Sequence, residues 1–184
     1  DDESVAGQLV GAEPLERADI LDPGRSGRIG VRRERHRDVV RRVGAGGADG
    51  VHLTSSSLSA DVVRRTFGPN FLIGVSTHSV GEAQVARATG ADFAVWGPVF
   101  ATESKNAYGA PQGVAKLQTI VREVAPFPIV ALGGINKVNF VACLEAGASG
   151  VAGIGLFQDK GNLSNTVLRI KEAFRNNVAE RKSQ

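Results

Sequence analysis

The segment GPVFATESK, which runs from Gly97 to Lys105, places two hydroxyl groups and a lysine just behind a short apolar run. Thr102 and Ser104 can donate hydrogen bonds to the oxygens of an anion, and Lys105 adds a positive charge. Such side chains just past a buried strand are typical of a loop that binds phosphate. A solvated polar loop is the simpler alternative. We therefore interpret the segment as a phosphate-binding loop whose remaining ligands come from neighbouring elements.

Glycines mark the ends of two later apolar runs. Gly133 and Gly134 follow PIVAL, and the run GVAGIG ends at Gly155. A strand end without side chains lets backbone amides approach an oxygen-rich anion. The pattern predicts an amide cradle for a monophosphate, built from Gly134, Ile154 and Gly155.

Two histidines lie near the ends of other apolar runs. Ser76 and His78 close the segment FLIGVSTHS, and a histidine at a strand end is suited to acid–base work near neutral pH. The alternative for His78 is a bond to a backbone carbonyl or a cap on the next helix. His52 lies inside the apolar run GVHL, and we interpret it as structural.

These candidate residues all lie at the ends of short apolar runs that begin after residue 45. Continuous runs of this kind favour strands that are covered on both faces, as in a parallel sheet. The predicted strands are GVHL, FLIGVST, DFAVWGPV, FPIVALGGI and GVAGIGLF. Helical patterns that begin on Ser or Asn and end on Gly lie between several of them.

A repeat supports this arrangement. The segments GGADGVHL, TGADFAVW and AGASGVAG each lead from a glycine turn into an apolar strand, which indicates one βα unit per repeat. Such units form either an open doubly wound sheet or a (β/α)8 TIM barrel, and glycine-rich ends on the last strands favour the barrel. Both folds bind ligands at the carboxyl ends of their strands.

The amino-acid composition limits the classes of protein to which the chain can belong. The chain has 184 residues, 42% of them hydrophobic and 22% charged, which is typical of one globular domain. Its single cysteine, Cys143, excludes a disulfide framework. The acidic start lacks the layout of a secretory signal, and no apolar run is long enough for a membrane span. We expect a cytoplasmic protein without a membrane or nucleic-acid partner, because the arginine-rich residues 32–42 lack interleaved aromatic side chains.

The segments GADGVHL, IGVSTHS, GADFAVWGPVFATESK, PIVALGGI and AGASGVAGIG resemble, in order and spacing, the thiamine-phosphate synthase family. The same superfamily contains the thiazole tautomerases. The likeness covers about residues 46–175. It implies a (β/α)8 barrel and a transferase that joins hydroxymethylpyrimidine pyrophosphate to thiazole phosphate with release of pyrophosphate. It also implies phosphorylated small molecules as substrates and Mg²⁺ as the cofactor.

The resemblance also implies roles for particular residues. Ser76 and Lys105 would contact the pyrimidine pyrophosphate, and His78 matches the proton-transfer histidine of the tautomerases. Pro98 and the loop after it are more similar to the synthases. The thiazole-phosphate site would consist of Thr102, Glu103, Ser104, Gly134, Ile154 and Gly155.

Two departures from the family pattern stand out. Ser57 takes the place of a metal-binding aspartate, and a hydroxyl is a poor substitute for a carboxylate on Mg²⁺. The Gln-Leu-Arg-Glu-Lys strand and the Asn-Asp pair of the synthases do not occur in residues 1–45. We interpret residues 1–45 as a divergent segment, either disordered or translated from a shifted frame. Residues 46–184 then form a barrel that is incomplete or divergent at its N-terminal end.

Three functions remain open from the sequence. The first is a thiamine-phosphate synthase, and the second is a thiazole tautomerase, which would tolerate Ser57 because it uses no pyrophosphate substrate. The third is a non-catalytic remnant that only binds phosphate. A homo-oligomer is also among the expectations, because a barrel that lacks strands exposes edges and apolar surface.

Overall fold

Five parallel strands form one sheet in the part of the chain that the computed structural model describes, residues 47–54, 57–102 and 110–182. The strands pair in sequence order, each with the next along the chain. A doubly wound sheet reverses its strand order at a switch point, whereas consecutive barrel strands do not. The order therefore agrees with the predicted barrel. The strands are β1 (Gly50–Leu53), β2 (Leu72–Thr77), β3 (Phe93–Trp96), β4 (Ile129–Leu132) and β5 (Gly150–Ala152).

Helices follow the strands and return the chain to the opposite edge of the sheet. They are α1 (Ala60–Phe67), α2 (Val80–Ala88), α3 (Gly113–Val124), α4 (Phe140–Glu145), α5 (Ile154–Phe157) and α6 (Leu163–Lys182). The start of α2 shows why a helix begins there. The hydroxyl of Ser79 accepts a hydrogen bond from the amide of Glu82, which satisfies one of the unpaired donors of the first turn.

The observed strands end earlier than the sequence-based strands at three carboxyl ends, those of β3, β4 and β5. The fourth strand ends at Leu132, because Gly133 and Gly134 have positive φ values. The third strand ends at Trp96, because Pro98 has no amide hydrogen for a continued ladder. The last strand ends at Ala152, whose partner Leu132 is the last residue of β4, and the chain then forms α5. This short helix turns Leu156 into the core, where it is 1% exposed. Residues 1–46, which include the segment that we interpreted as divergent, lie outside the described residues.

The two faces of the sheet have different surroundings. Ala94, Trp96, Ile129 and Ala131 belong to the same buried cluster as the apolar residues of α3 and α4. That cluster also contains Cys143, where burial raises the pKa of the thiol to about 11. The register pairs Ser76 with Val95 and Val95 with Val130, so these residues share the opposite face.

The amino edge of the sheet is held by one arginine. Arg64, near the end of α1, donates hydrogen bonds to the backbone carbonyls of Gly68, Pro69, Phe71 and Gly90. Its Nη2 also lies 2.7 Å from a carboxylate oxygen of Asp92. The same oxygen accepts the amide of Ile73 at 2.6 Å, so the arginine joins the segments that lead into β2 and β3.

Across residues 47–54, 57–102 and 110–182, no helix has both the length and the apolar character of a bilayer crossing. Even α6, the twenty-residue helix, falls short of the apolar character that a bilayer crossing requires.

Candidate functional site

The carboxyl ends of all five strands meet at one edge of the sheet, because the strands are parallel. The candidate residues from the sequence lie at this edge as far as the structure describes them. Ser76 lies in β2, His78 follows it, and Thr102 lies on the loop after β3. Glu103, Ser104 and Lys105 lie outside the described residues, so their roles stay predictions.

Ser76 contacts a histidine on the neighbouring strand. Its Oγ lies 2.8 Å from Nε2 of His52. The register explains the contact, because His52 pairs with Gly74 and side chains two residues apart share a face. Gly74 leaves the space for it, since a Cβ at this position would lie 2.4 Å from the Phe93 ring and 2.9 Å from His52 Nδ1. His52, interpreted from the sequence as structural, thus contacts a candidate site residue.

His78 joins three segments of the edge. Its Nδ1 lies 2.6 Å from the carbonyl oxygen of Gly97, after β3. A carbonyl only accepts hydrogen bonds, so Nδ1 is the donor and carries the hydrogen. The amide of His78 donates to a carboxylate oxygen of Glu82 at 2.5 Å. Its carbonyl oxygen accepts from the side-chain amide of Gln112 at 2.9 Å.

The loop that contains residues 98–112 has a closed base. The amide of Gln112 donates to the carbonyl of Pro98, and the amide of Gly113 donates to that of Val99, both at 2.9 Å. On the other side, the amides of Val99 and Phe100 donate to the carbonyls of Leu132 and Gly133 at 2.9 and 3.0 Å. Both ends of the loop are therefore fixed beside the end of β4.

The glycines after β4 pack directly against this loop. Gly133 and Gly134 have φ values of +101° and +63°, which favour glycine. A Cβ on Gly133 would lie 2.6 Å from the Cα atom of Pro98, and one on Gly134 would lie 2.4 Å from the carbonyl oxygen of Ala101. Any side chain at these positions would push the loop away, so the sequence needs glycine for this close backbone packing.

The end of β5 lies beside the end of β4. A Cβ on Gly153 would lie 3.3 Å from the carbonyl oxygen of Ile135. Ile154 and Gly155 follow in the first turn of α5, where amide groups have no partner within the helix, and both residues are exposed. The predicted cradle residues Gly134, Ile154 and Gly155 are thus on adjacent strand ends.

An ion pair also joins these two strand ends. The ammonium group of Lys137 lies 2.7 Å from a carboxylate oxygen of Asp159. Hydrogen bonds from Lys137 and from Asn162 hold the pKa of the Asp159 carboxyl below its usual value. The pair connects the loop after β4 to the segment after α5.

The described residues do not fit a magnesium ion. Ser57 Oγ accepts a hydrogen bond from the amide of Thr54 at 2.9 Å and lies 3.0 Å from Thr54 Oγ1, so its hydroxyl belongs to a local turn. Over residues 47–54, 57–102 and 110–182, no three His, Cys, Asp or Glu side chains are grouped so that they could hold a metal ion. The expected Mg²⁺ site has no support from this part of the chain.

The chain is similar in sequence to proteins named thiamine-phosphate synthase. A family model described as thiamine monophosphate synthase matches residues 37–157. The chain is 45% identical over 105 residues to the thiamine-phosphate synthase of Chlorobium phaeobacteroides, a match that covers 57% of this chain and 50% of the relative. It is 41% identical over 128 residues to that of Methanoculleus marisnigri, covering 70% and 60%. The chain thus spans about half the length of the curated relatives that it matches.

Solved structures agree with the sequence relatives. The thiamine phosphate pyrophosphorylase from Pyrococcus furiosus aligns with a TM-score of 0.57 at 33% identity, over 77% of this chain and 64% of that one. A 3-hexulose-6-phosphate synthase aligns with a TM-score of 0.55 at 20% identity, over 73% and 66%, a likeness that concerns the fold alone. The resemblance seen in the sequence is confirmed: this chain belongs to the thiamine monophosphate synthase family.

Proposed function

We propose that this chain acts in thiamine biosynthesis as a thiamine-phosphate synthase. This transferase joins hydroxymethylpyrimidine pyrophosphate to thiazole phosphate and releases pyrophosphate. Family membership and the identity to relatives named thiamine-phosphate synthase support the proposal. The observation that carries it is the close packing of Gly133 and Gly134 against the loop after β3, since this packing leaves backbone at the edge where ligands bind in such folds.

The reaction defines what the site must do. The bond between the pyrimidine methylene carbon and the pyrophosphate oxygen breaks, and both electrons leave with pyrophosphate. The lone pair of the thiazole nitrogen forms the new carbon–nitrogen bond. No proton is transferred in these two bond changes, and nothing is oxidised or reduced. The protein must therefore hold the two substrates in line and stabilise the charge of the leaving group.

The ends of β4 and β5 are suited to the thiazole phosphate. In the proposal, the amides of Gly134, Ile154 and Gly155 donate to its oxygens, and Thr102 lies on the adjoining loop. Backbone amides are fixed by the fold, so they bind an anion without ordering long side chains. Asn139 supports this arrangement, because its side-chain amide donates to the carbonyl oxygen of Gly134 at 3.0 Å.

Ser76 is suited to the pyrophosphate. Its hydroxyl can donate to a phosphate oxygen while it accepts from another group, and His52 Nε2 lies 2.8 Å away. In the neutral imidazole one ring nitrogen donates and the other accepts, so His52 can fix the direction of the hydroxyl hydrogen. Lys105 would add positive charge here, and this role stays a prediction.

The Mg²⁺ requirement, the cytoplasmic location and a homo-oligomeric state also stay predictions. No step of the proposed mechanism passes through a metal ion, because the described residues provide no site for one.

Calorimetric titration tests the proposal most directly. The full chain is titrated with thiazole phosphate and then with the pyrimidine pyrophosphate, with and without Mg²⁺, while formation of thiamine phosphate and pyrophosphate is measured. Binding of both substrates with product formation is the expected result. Absence of product under every condition would overturn the proposed activity.

Replacing Gly134 by Ala tests the cradle. The new Cβ would meet the Ala101 carbonyl oxygen at 2.4 Å, and the φ value of +63° is unfavourable for alanine. We expect the Kd for thiazole phosphate to rise about tenfold or more, since charge-assisted hydrogen bonds are worth more than 1 kcal/mol. Gly81→Ala is the matched control, because a Cβ on Gly81 meets no atom within 4 Å. An unchanged Kd in Gly134→Ala would remove this residue from the site.

Thiazole tautomerase activity is the second candidate function. The observation in its favour is the His78 tautomer, since a hydrogen on Nδ1 places the lone pair of a neutral ring on Nε2. Isomerisation of a single thiazole substrate without any pyrimidine would assign this activity. A chain that binds thiazole phosphate and turns over neither substrate would be the non-catalytic remnant.

A further inference from the structure

We propose that His78 is a positioning residue, which fixes the base of the loop after β3 beside the phosphate cradle. It would act through Gly97 and would not transfer protons. This inference rests on the proposed function, because it concerns the geometry of the same site. The sequence left two roles open for His78, acid–base work and a bond to a backbone carbonyl, and the second is the one that has a kinetic consequence here.

His78 contacts Gly97 through its imidazole ring. The ring nitrogen Nδ1 and the Gly97 carbonyl oxygen are 2.6 Å apart. Gly97 is closely surrounded, since a Cβ there would lie 2.1 Å from the Leu132 carbonyl oxygen. The hydrogen bond therefore fixes the first residue of the loop between the ends of β2 and β4.

Backbone contacts connect Gly97 to the cradle along the start of the loop. Val99 and Phe100 donate their amides to the carbonyls of Leu132 and Gly133. Ala101, the next residue, is the one whose carbonyl oxygen would meet a Cβ on Gly134. The path from the imidazole to the predicted cradle thus consists of consecutive backbone contacts, with no flexible side chain between them.

Gln112, at the far end of the loop, also contacts His78. Its side-chain amide donates to the carbonyl of His78 at 2.9 Å, while its backbone amide donates to the carbonyl of Pro98. His78 thus bonds the start of the loop through its ring and the end of the loop through its backbone. The amide of His78 is itself fixed by the carboxylate of Glu82.

The chemistry of the proposed reaction agrees with this role. Its two bond changes need no proton donor or acceptor, so a synthase has no use for a proton-transfer histidine at this position. A misplaced phosphate group, by contrast, would weaken substrate binding and slow the reaction. A contact that aligns the loop therefore contributes more to the proposed reaction than a group that exchanges protons.

Isosteric substitutions separate the two roles. The amide nitrogen of asparagine can take the place of Nδ1, whereas that of glutamine takes the place of Nε2. We expect His78→Ala and His78→Gln to raise the KM and the Kd for thiazole phosphate about tenfold or more. His78→Asn should restore both to within about fivefold of the unsubstituted chain. Loss of kcat in His78→Asn to the level of His78→Ala, with KM unchanged, would overturn the proposal in favour of proton transfer.

Gln112→Leu is an independent variant for the same claim. It removes the donor to the His78 carbonyl and leaves the imidazole in place. Positioning predicts a rise in KM here as well, while a proton-transfer role predicts none. Circular dichroism melting of each variant controls for folding.

A spectroscopic measurement tests the contact without any substrate. Long-range ¹H–¹⁵N spectra distinguish a ring protonated at Nδ1 from one protonated at Nε2, and the signals that vanish in His78→Asn belong to His78. The tautomer with hydrogen on Nδ1 is expected, and the Nε2 tautomer would overturn the inference even in an active enzyme. Failure of the proposed function would show separately, as absence of turnover in the unsubstituted chain with the expected tautomer present.

Discussion

The two ends of the same sheet use polar groups in opposite ways. At the amino edge, Arg64 is surrounded by backbone carbonyls and by Asp92, so its donors are directed inward at the protein. At the carboxyl edge, Ser76 lies in a strand end and Gly134 follows one, where backbone and hydroxyl groups face the ligand side of the fold. The first arrangement stabilises the strands, and the second is the one that we propose to bind substrate. In this proposal, stability and function are separated along the length of a strand of about four residues.

The amino edge should carry the larger effect on stability. Arg64→Ala removes donors from four carbonyls and leaves Asp92 without its ion-pair partner, so we expect the free energy of unfolding to fall by about 3 kcal/mol. Urea denaturation measures it. Arg65→Ala is the matched control, because the Arg65 side chain is 70% exposed and pairs with Asp61 on the same helix. A loss below about 1 kcal/mol in Arg64→Ala would contradict the assignment of stability to this edge.

Substitutions of Ser76 and His52 should mainly lower activity, whereas Arg64→Ala mainly lowers stability. Since Nε2 of His52 contacts Ser76, glutamine preserves the relevant position and asparagine does not. We expect His52→Asn to lower kcat/KM about tenfold, and Ser76→Ala about a hundredfold, as is usual when one donor to a developing charge is lost. His52→Gln should recover most of the loss. Glutamine is thus the better substitute at His52, whereas asparagine is the better substitute at His78. If one residue type were the better substitute at both positions, the two contacts would be contradicted.

Gly81→Ala should give the smallest effect, and it serves as the comparison for Gly134→Ala at the carboxyl edge. Gly81 lies exposed in α2 with open space around it, so Gly81→Ala should stabilise the protein by about 0.5 kcal/mol through a better helix propensity. Thiazole-phosphate binding should not change. Thermal melting and calorimetry measure the two quantities, and a loss of binding in this variant would show that the effect of Gly134→Ala is not local.

Much of the fold could be predicted because buried parallel strands are continuous apolar runs. All five runs correspond to strands. Strands end early where pairing partners run out, as after Ala152, or where a proline interrupts the ladder, as at Pro98. The sequence-based prediction missed α3. This helix has Gln112 at its start in place of a hydroxyl cap, and its helical signal is the buried spacing of Leu117, Ile120 and Val124.

The site was harder to predict than the strands. Glycines such as Gly134 are easy to recognise in the sequence, because only glycine permits such a close approach of two backbone segments. The contact between His52 and Ser76 follows from register, which is known only once the strand order is known. The bond between His78 and Gly97 depends on two loops from different strands, and no local pattern encodes it.

One buried side chain can serve as a fluorescent probe of the carboxyl edge of the sheet. Trp96 is the single tryptophan of the chain, it is 2% exposed, and it immediately precedes Gly97. Tryptophan fluorescence of the protein therefore comes from one indole in apolar surroundings, next to the residue whose carbonyl His78 contacts. Its emission wavelength and lifetime would follow both unfolding and any rearrangement at the start of the loop, with no added label.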